Sequence, residues 1–179
     1  MDIKKSLENK FNTSLANLTG SPIREFDAFA STIEGIIKLT LGEPDFDTAE
    51  EVKEAAKVAL DNNRTHYSVN NGIEPLRAAW SKNLEKRYNL NYSPEEVIVT
   101  IGASAAIEHT ISAITNEGDT IIVVTPYFSA YEGVGILNKC NIKFIDTVDN
   151  DFKVLPSELE KALEENKDAK AILINYPNN

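Results

Sequence analysis

The sequence is short of several things. It has one cysteine, Cys140, in 179 residues, which excludes an internal disulfide framework and fits a reducing cytosol. Cys140 follows an apolar stretch at an expected helix end and reads as a small buried hydrophobe. Basic residues are scarce: 18 Lys and Arg face 28 Asp and Glu, a net charge of −10. Such a chain repels nucleic acid and anionic membranes, so any phosphate it binds must be held by local geometry. Long apolar runs are missing too. None approaches the length of a membrane span, and Met1-Asp2-Ile3-Lys4-Lys5 leads into no signal-peptide core. The expected location is cytoplasmic. Neither a G-x-G-x-x-G turn nor a Walker lysine is present, which argues against an unrelated nucleotide-binding α/β domain. There is no internal repeat, no low-complexity segment and no basic helix-turn-helix pattern before residue 20, and no metal-ligating set is assigned. What remains, 42% hydrophobic and 26% charged, describes a globular chain. It is long enough for one domain with a sizeable core, or for a piece of something larger.

The most informative stretch is Glu96 to Asn116. Val97 to Ile101 is a nearly continuous β-branched run, the pattern of a strand buried on both faces. After Gly102 the period changes. Ala103, Ile107, Ile111 and Ile114 fall on one stripe of an amphipathic helix, with Glu108, Ser112 and Thr115 opposite. A strand therefore feeds a helix through small residues, where a bound group can approach the backbone. The first helical N–H groups lack internal partners and carry the positive end of the helix dipole, which suits a phosphate. A plain tight strand-to-helix connection reads equally well here. His109, one position off the stripe, reads as a satisfied structural histidine.

Residues 1 to 35 resemble an arm. Leu7, Phe11, Leu15 and Leu18 mark a weak helix over Ser6 to Leu18; Gly20-Ser21-Pro22 breaks it, and Ile23 to Ile33 resumes the pattern. Ile36 to Leu41 reads as a strand entering the loop Gly42-Glu43-Pro44-Asp45-Phe46. Thr48 with Glu51 reads as a capping box for a helix ending at Asp61-Asn62-Asn63. A second helix carries Ile73, Leu76, Trp80, Leu84 and Tyr88 on one face, which makes Trp80 core. Strands are expected at 97–101, 120–124, 142–147 and 171–175, alternating with helices near 103–115, 128–139 and 156–166. That rhythm predicts an α/β fold with a mostly parallel sheet and right-handed crossovers.

Five stretches, in order, resemble the aspartate-aminotransferase-like branch of the fold type I pyridoxal-phosphate enzymes. Gly42-Glu43-Pro44-Asp45-Phe46 is similar to the family's G-x-P-D-F loop, and His66-Tyr67 through Gly72, Leu76 and Arg77 to its Y-x-x-x-x-G-x-x-x-L-R pattern. Thr100-x-Gly102-Ala103-Ser104 with Ala106-Ile107 resembles its phosphate turn. Pro126-Tyr127-Phe128 resembles the P-x-aromatic segment over the cofactor ring, and Asn175-Tyr176-Pro177-Asn178-Asn179 the start of N-x-P-N-N-P-T-G. The resemblance implies a fold type I large-domain half over 46–179 behind an arm or small-domain segment over 1–45. It also implies a homodimer, and pyridoxal 5'-phosphate as cofactor for transfer of an amino group between an L-amino acid and a 2-oxo acid. Ala103 and Ser104 would hold the cofactor phosphate, and Phe128 would stack on its ring. Asn179 would donate to its phenolic oxygen, and Tyr67 would reach the phosphate of the neighbouring subunit. Gly42 would present backbone to the substrate carboxylate. Read without the resemblance, Tyr67 is a surface aromatic on a polar loop and Phe128 a core residue at a helix start.

The sequence departs from the family in one large respect. The Schiff-base lysine, the acid facing the pyridine nitrogen and the arginine for the substrate carboxylate belong to later segments, and no lysine here sits in an S-x-S-K setting. The 179 residues therefore read as an inactive N-terminal fragment of a longer enzyme. Other chemistry on the same scaffold, such as C–S β-lysis, decarboxylation or cyclopropane formation, remains open, as does a non-catalytic sensor domain.

Overall fold

The computed structural model describes residues 10–18 and 20–178. Leu7 of the N-terminal stripe and Asn179 lie outside the described residues. The described residues form two compact units, 22–101 on one side of the division and 10–21 with 102–178 on the other.

The 22–101 unit holds helices α1 (Pro22–Ala30), α2 (Glu50–Asp61) and α3 (Glu74–Tyr88). Four expectations fail in it, each for a local reason. Ile36 to Leu41 joins no strand ladder among the described residues and bends at Thr40 and Leu41. Its side chains cannot serve as sheet core, and Ile37 and Leu39 are 86% and 91% exposed. The segment is tied by polar contacts instead: the Thr40 hydroxyl donates to Asp27 on α1, and Lys38 Nζ lies 3.4 Å from the same carboxylate. The hydrogen bond from Thr40 holds the Asp27 carboxyl below its ordinary range; burial opposes it, and Lys38 and Arg24 add to the lowering. Thr48 does not cap α2; the helix starts one turn position later, with Ala49 at the N-cap and no side-chain cap bond. Trp80 is about half exposed rather than core. The stripe of α3 exists, but Leu76 and Tyr88 on it are also open, because an apolar stripe becomes core only where another element covers it.

The fourth correction is Val97 to Ile101. Val97 has extended dihedrals, yet the segment enters no ladder among the described residues, and Ile98 and Ile101 are exposed. The Val99 amide donates to the Asn71 carbonyl at 3.1 Å. A β-branched run has strand character, but it becomes a strand only beside a partner strand. What holds it is Gly72, at φ +94° and so close that a Cβ there would lie 2.7 Å from the Val99 side chain. Arg77, buried on α3, donates from Nε to the Gly72 carbonyl at 3.0 Å and from a second nitrogen to the Pro94 carbonyl. Gly72 and Arg77 of the sequence pattern thus form a structural tie, while Leu76 stays open.

In the other unit the described part of the expected N-terminal helix carries a 3₁₀ turn, Thr13–Asn17, opened by the Asn12 side chain accepting from the Ser14 amide at 3.0 Å, while residues 6–9 of that stretch lie outside the described residues. Helix α4 (Gly102–Ile114) leads through Asn116 to Asp119 into β1 (Thr120–Thr125). Then come α5 (Ala130–Leu137), β2 (Asn141–Asp146), α6 (Pro156–Glu165) and β3 (Ala171–Leu173). The sheet is parallel with order β2-β1-β3, Val123 facing Phe144 on one side and Leu173 on the other. The expected α/β class is borne out, with three strands in the sheet among the described residues where four were expected. Ile121, Ile122 and Val123 have no exposed surface, as a central parallel strand covered on both faces requires. Ile111, Val134 and Ile145 complete that core. Cys140 is only half-buried, its thiol 3.9 Å from the Asn138 carbonyl, because it lies in the turn between α5 and β2 rather than on an inward face. His109 is exposed on α4, one position off the stripe that Ile111 buries.

Helix α5 rides close to the sheet at Gly135, where a Cβ would lie 2.8 Å from Ile142 Cδ1 and 3.0 Å from Ile121 Cδ1. Gly135→Val therefore drives bulk into a packed core and is expected to lower stability by about 2 kcal/mol. A urea melt checks this, by a lower midpoint at unchanged slope.

Candidate active site

Ligands in open parallel sheets bind at the carboxyl ends of the strands. Helix α4 enters β1 and α5 leaves it, and the two helices pack on each other. With both running antiparallel to the strand between them, their N-termini lie at its carboxyl end. That edge gathers the opening turn of α4, residues 126–128 after β1, and residues 174–178 after β3.

Gly102 starts α4 at φ +80°, a left-handed conformation that side chains resist. Ala103 and Ser104 follow in the first turn, both exposed, with no acidic residue in that turn. Backbone amides, a hydroxyl and the positive helix end make a donor set that fits a phosphate. Phe128 is half-buried two residues before α5, its ring edge-to-face with Tyr131 at 5.9 Å and 89°. Asn175 to Asn178 follow β3 at the same edge.

The structure thus brings Ala103, Ser104 and Phe128 into one unit. Tyr67 and Gly42 belong to the other. Tyr67 is fully exposed on a polar loop. Gly42 is exposed beside a 230 Å³ hollow lined by Lys38, Thr40, Glu43 and Asp45 among others. Asn179 lies outside the described residues.

One residue at the sheet edge was not singled out from the sequence. Tyr127 stacks on Phe144 of β2 at 5.4 Å and 20°, and its phenol donates to Glu132 Oε2 at 2.7 Å. Burial, then the hydrogen bond to Glu132 and its negative charge, push the phenol up to about 12. The spacing Tyr127 to Glu132 spans a turn and a helix start, so no periodic pattern signals it. Arg77 was likewise quoted only as a motif letter, because backbone carbonyls as partners leave no mark in a sequence.

An α/β unit with an exposed helix start and an aromatic at one sheet edge belongs to the class of α/β folds that offer small-molecule sites at the carboxyl ends of their strands. The comparisons narrow it. Residues 34–179 match the family Aminotransferase class I and II, and the chain belongs to that family. It is 38% identical over 160 residues to the aspartate aminotransferase of Pyrococcus horikoshii, covering 89% of this chain and 40% of that one. It is 36% identical over 161 residues to aromatic-amino-acid aminotransferase 2 of Thermococcus litoralis, covering 89% and 41%. Its fold is similar to the aspartate aminotransferase of Thermus thermophilus solved with maleate, at a TM-score of 0.88, 32% identity and coverage of 94% and 45%. The chain spans about two fifths of the length of the curated relatives it matches. Among the described residues no helix is long and apolar enough to cross a membrane.

The Tyr127 environment has a measurable consequence. With the folded value raised from 10.0 to about 12, its contribution to stability is complete below pH 10 and is lost as pH rises through 12. Ultraviolet titration of the six tyrosines is expected to show one late tyrosinate component, absent in Tyr127→Phe.

Proposed function

We propose that this chain supplies the phosphate- and ring-holding part of a pyridoxal-phosphate-dependent aminotransferase. The reaction moves an amino group between an L-amino acid and a 2-oxo acid. The observation that carries this reading is the opening of α4: Gly102 in a left-handed conformation, then exposed Ala103 and Ser104 with no acid in the turn. The net charge of −10 makes that turn the place where an anion is held by directed donors. The Ala103 and Ser104 amides and the Ser104 hydroxyl hold the phosphate, and Phe128 offers its ring to the pyridine. Asn179 donates to the phenolic oxygen, Tyr67 reaches the phosphate of a neighbouring subunit, and Gly42 presents backbone to the substrate carboxylate. When bound, pyridoxal phosphate supplies an electron sink for bonds broken at the substrate α-carbon. The division is an arm or small-domain segment over 1–45 and a large-domain portion over 46–179. The assembly is a cytoplasmic homodimer, with Tyr67 and the arm near the subunit boundary. The apolar side chains exposed at Ile23, Phe26 and Phe29 support that placement of the arm.

Titrating the chain with inorganic phosphate while recording amide resonances tests the site. The shifts are expected to centre on residues 103–105. Gly102→Val, which forces a side chain into a left-handed backbone at a cost of ~1–2 kcal/mol, is expected to weaken them about tenfold. Shifts mapping elsewhere, or untouched by that substitution, overturn the assignment.

The chain alone is expected to release no 2-oxo acid from pyridoxal phosphate and an amino donor. It is also expected to hold pyridoxal phosphate only weakly, because the hydrogen bonds and the ring stack contribute on the order of 1 kcal/mol each, against several kcal/mol of lost ligand freedom. A positioned lysine is also required for the chemistry. Turnover that disappears on mutating one lysine of this chain would overturn that expectation.

A further inference from the structure

Two neighbouring rings leave β1 in different directions. Tyr127 lies flat on Phe144 of β2 and donates its phenol proton to Glu132 of α5. Phe128 instead meets Tyr131 of α5 edge-to-face, and its carbonyl accepts from the Tyr131 amide at 2.9 Å. Residues 131 and 132 are adjacent in the first turn of α5, so a single helical turn grips both rings. The grip on Phe128 is backbone plus ring edge. The grip on Tyr127 is a ring stack plus a hydrogen bond to a carboxylate, the stronger kind.

We propose that Tyr127 is a positioning residue for Phe128. Its bond to Glu132 and its stack on Phe144 fix segment 126–128, so that the Phe128 ring is presented in one orientation to a flat heteroaromatic ligand. The inference rests on the reading that α4 and Phe128 hold pyridoxal phosphate. Tyr127 touches no ligand in this scheme and acts through its neighbour. The raised phenol value agrees with it, since the phenol stays a donor throughout the neutral range.

The experiment uses the whole chain and three variants, Tyr127→Phe, Glu132→Ala and Glu132→Gln. Each is titrated with pyridoxal 5'-phosphate and, separately, with inorganic phosphate, and the Phe128 ring-proton shifts induced by Tyr131 are recorded without ligand. Tyr127→Phe and Glu132→Ala are expected to weaken pyridoxal phosphate about fivefold, the worth of one lost hydrogen bond, and to leave inorganic phosphate unchanged. Both should average the Phe128 ring shifts. Glu132→Gln, whose amide oxygen accepts the same bond, should restore affinity and shifts. A purely structural role predicts instead that both ligands weaken alike while the Phe128 shifts keep their native values. That result, or a failure of Glu132→Gln to rescue, overturns the proposal. If the unmodified chain binds neither ligand, the pyridoxal phosphate reading fails. The Phe128 ring shifts then still decide the positioning role: unchanged shifts in Tyr127→Phe overturn it.

Discussion

The sheet-bearing unit depends on the complete burial of β1. Ile121, Ile122 and Val123 are closed to solvent on both faces, and each contributes roughly 1.5–3 kcal/mol by leaving water. A strand so covered needs a paired neighbour on each edge and a helix layer on each face, which β2, β3 and the flanking helices supply. Parallel pairing then follows, since helical crossovers return the chain in the same direction. Everything of chemical interest in this unit hangs from the carboxyl end of that strand: the aromatic segment directly after it, the start of α4, and the residues after β3.

The same arrangement reconciles a net charge of −10 with the proposed anion site. Bulk charge repels a phosphate at long range, but the repulsion is screened beyond about 10 Å in ordinary salt. Within the first turn of α4 the directed amides and the helix dipole act at contact distance. An acid in that turn would have cancelled them, and none is there. The acids gather elsewhere, on α2 and α6, where several pair with lysines.

How much of this could be read beforehand follows the range of the interactions involved. Helices α4, α5 and α6 and the three strands of the described residues were legible within a few residues, because each is set by local periodicity. The opening of α4 was legible for the same reason: Gly102 followed by small residues is a local instruction. Val97–Ile101 and Ile36–Leu41 were misread because strand character is local while a strand is a pair. Trp80 was misread because a stripe announces which face is apolar and says nothing of what covers it. Thr48 was misread by a residue, which is all that separates a capping side chain from an idle one. Neither the Tyr127–Glu132 bond nor the tie from Arg77 to the carbonyls of Gly72 and Pro94 obeys a period, and both appeared only with the fold.

Helix α5 is where packing and site become one problem. Its height above the sheet is set at Gly135, where the helix backbone comes within contact of Ile121 and Ile142. Its first turn, one helical turn earlier, carries Tyr131 and Glu132, which hold the two rings after β1. A helix is stiff over such a distance, so a change in clearance at Gly135 is transmitted to the rings rather than absorbed. Ligand geometry tolerates only about 0.5 Å of error. The glycine that reads as a packing detail is thus also a condition on where Phe128 points, and core density near β1 and ring orientation at the sheet edge are set together.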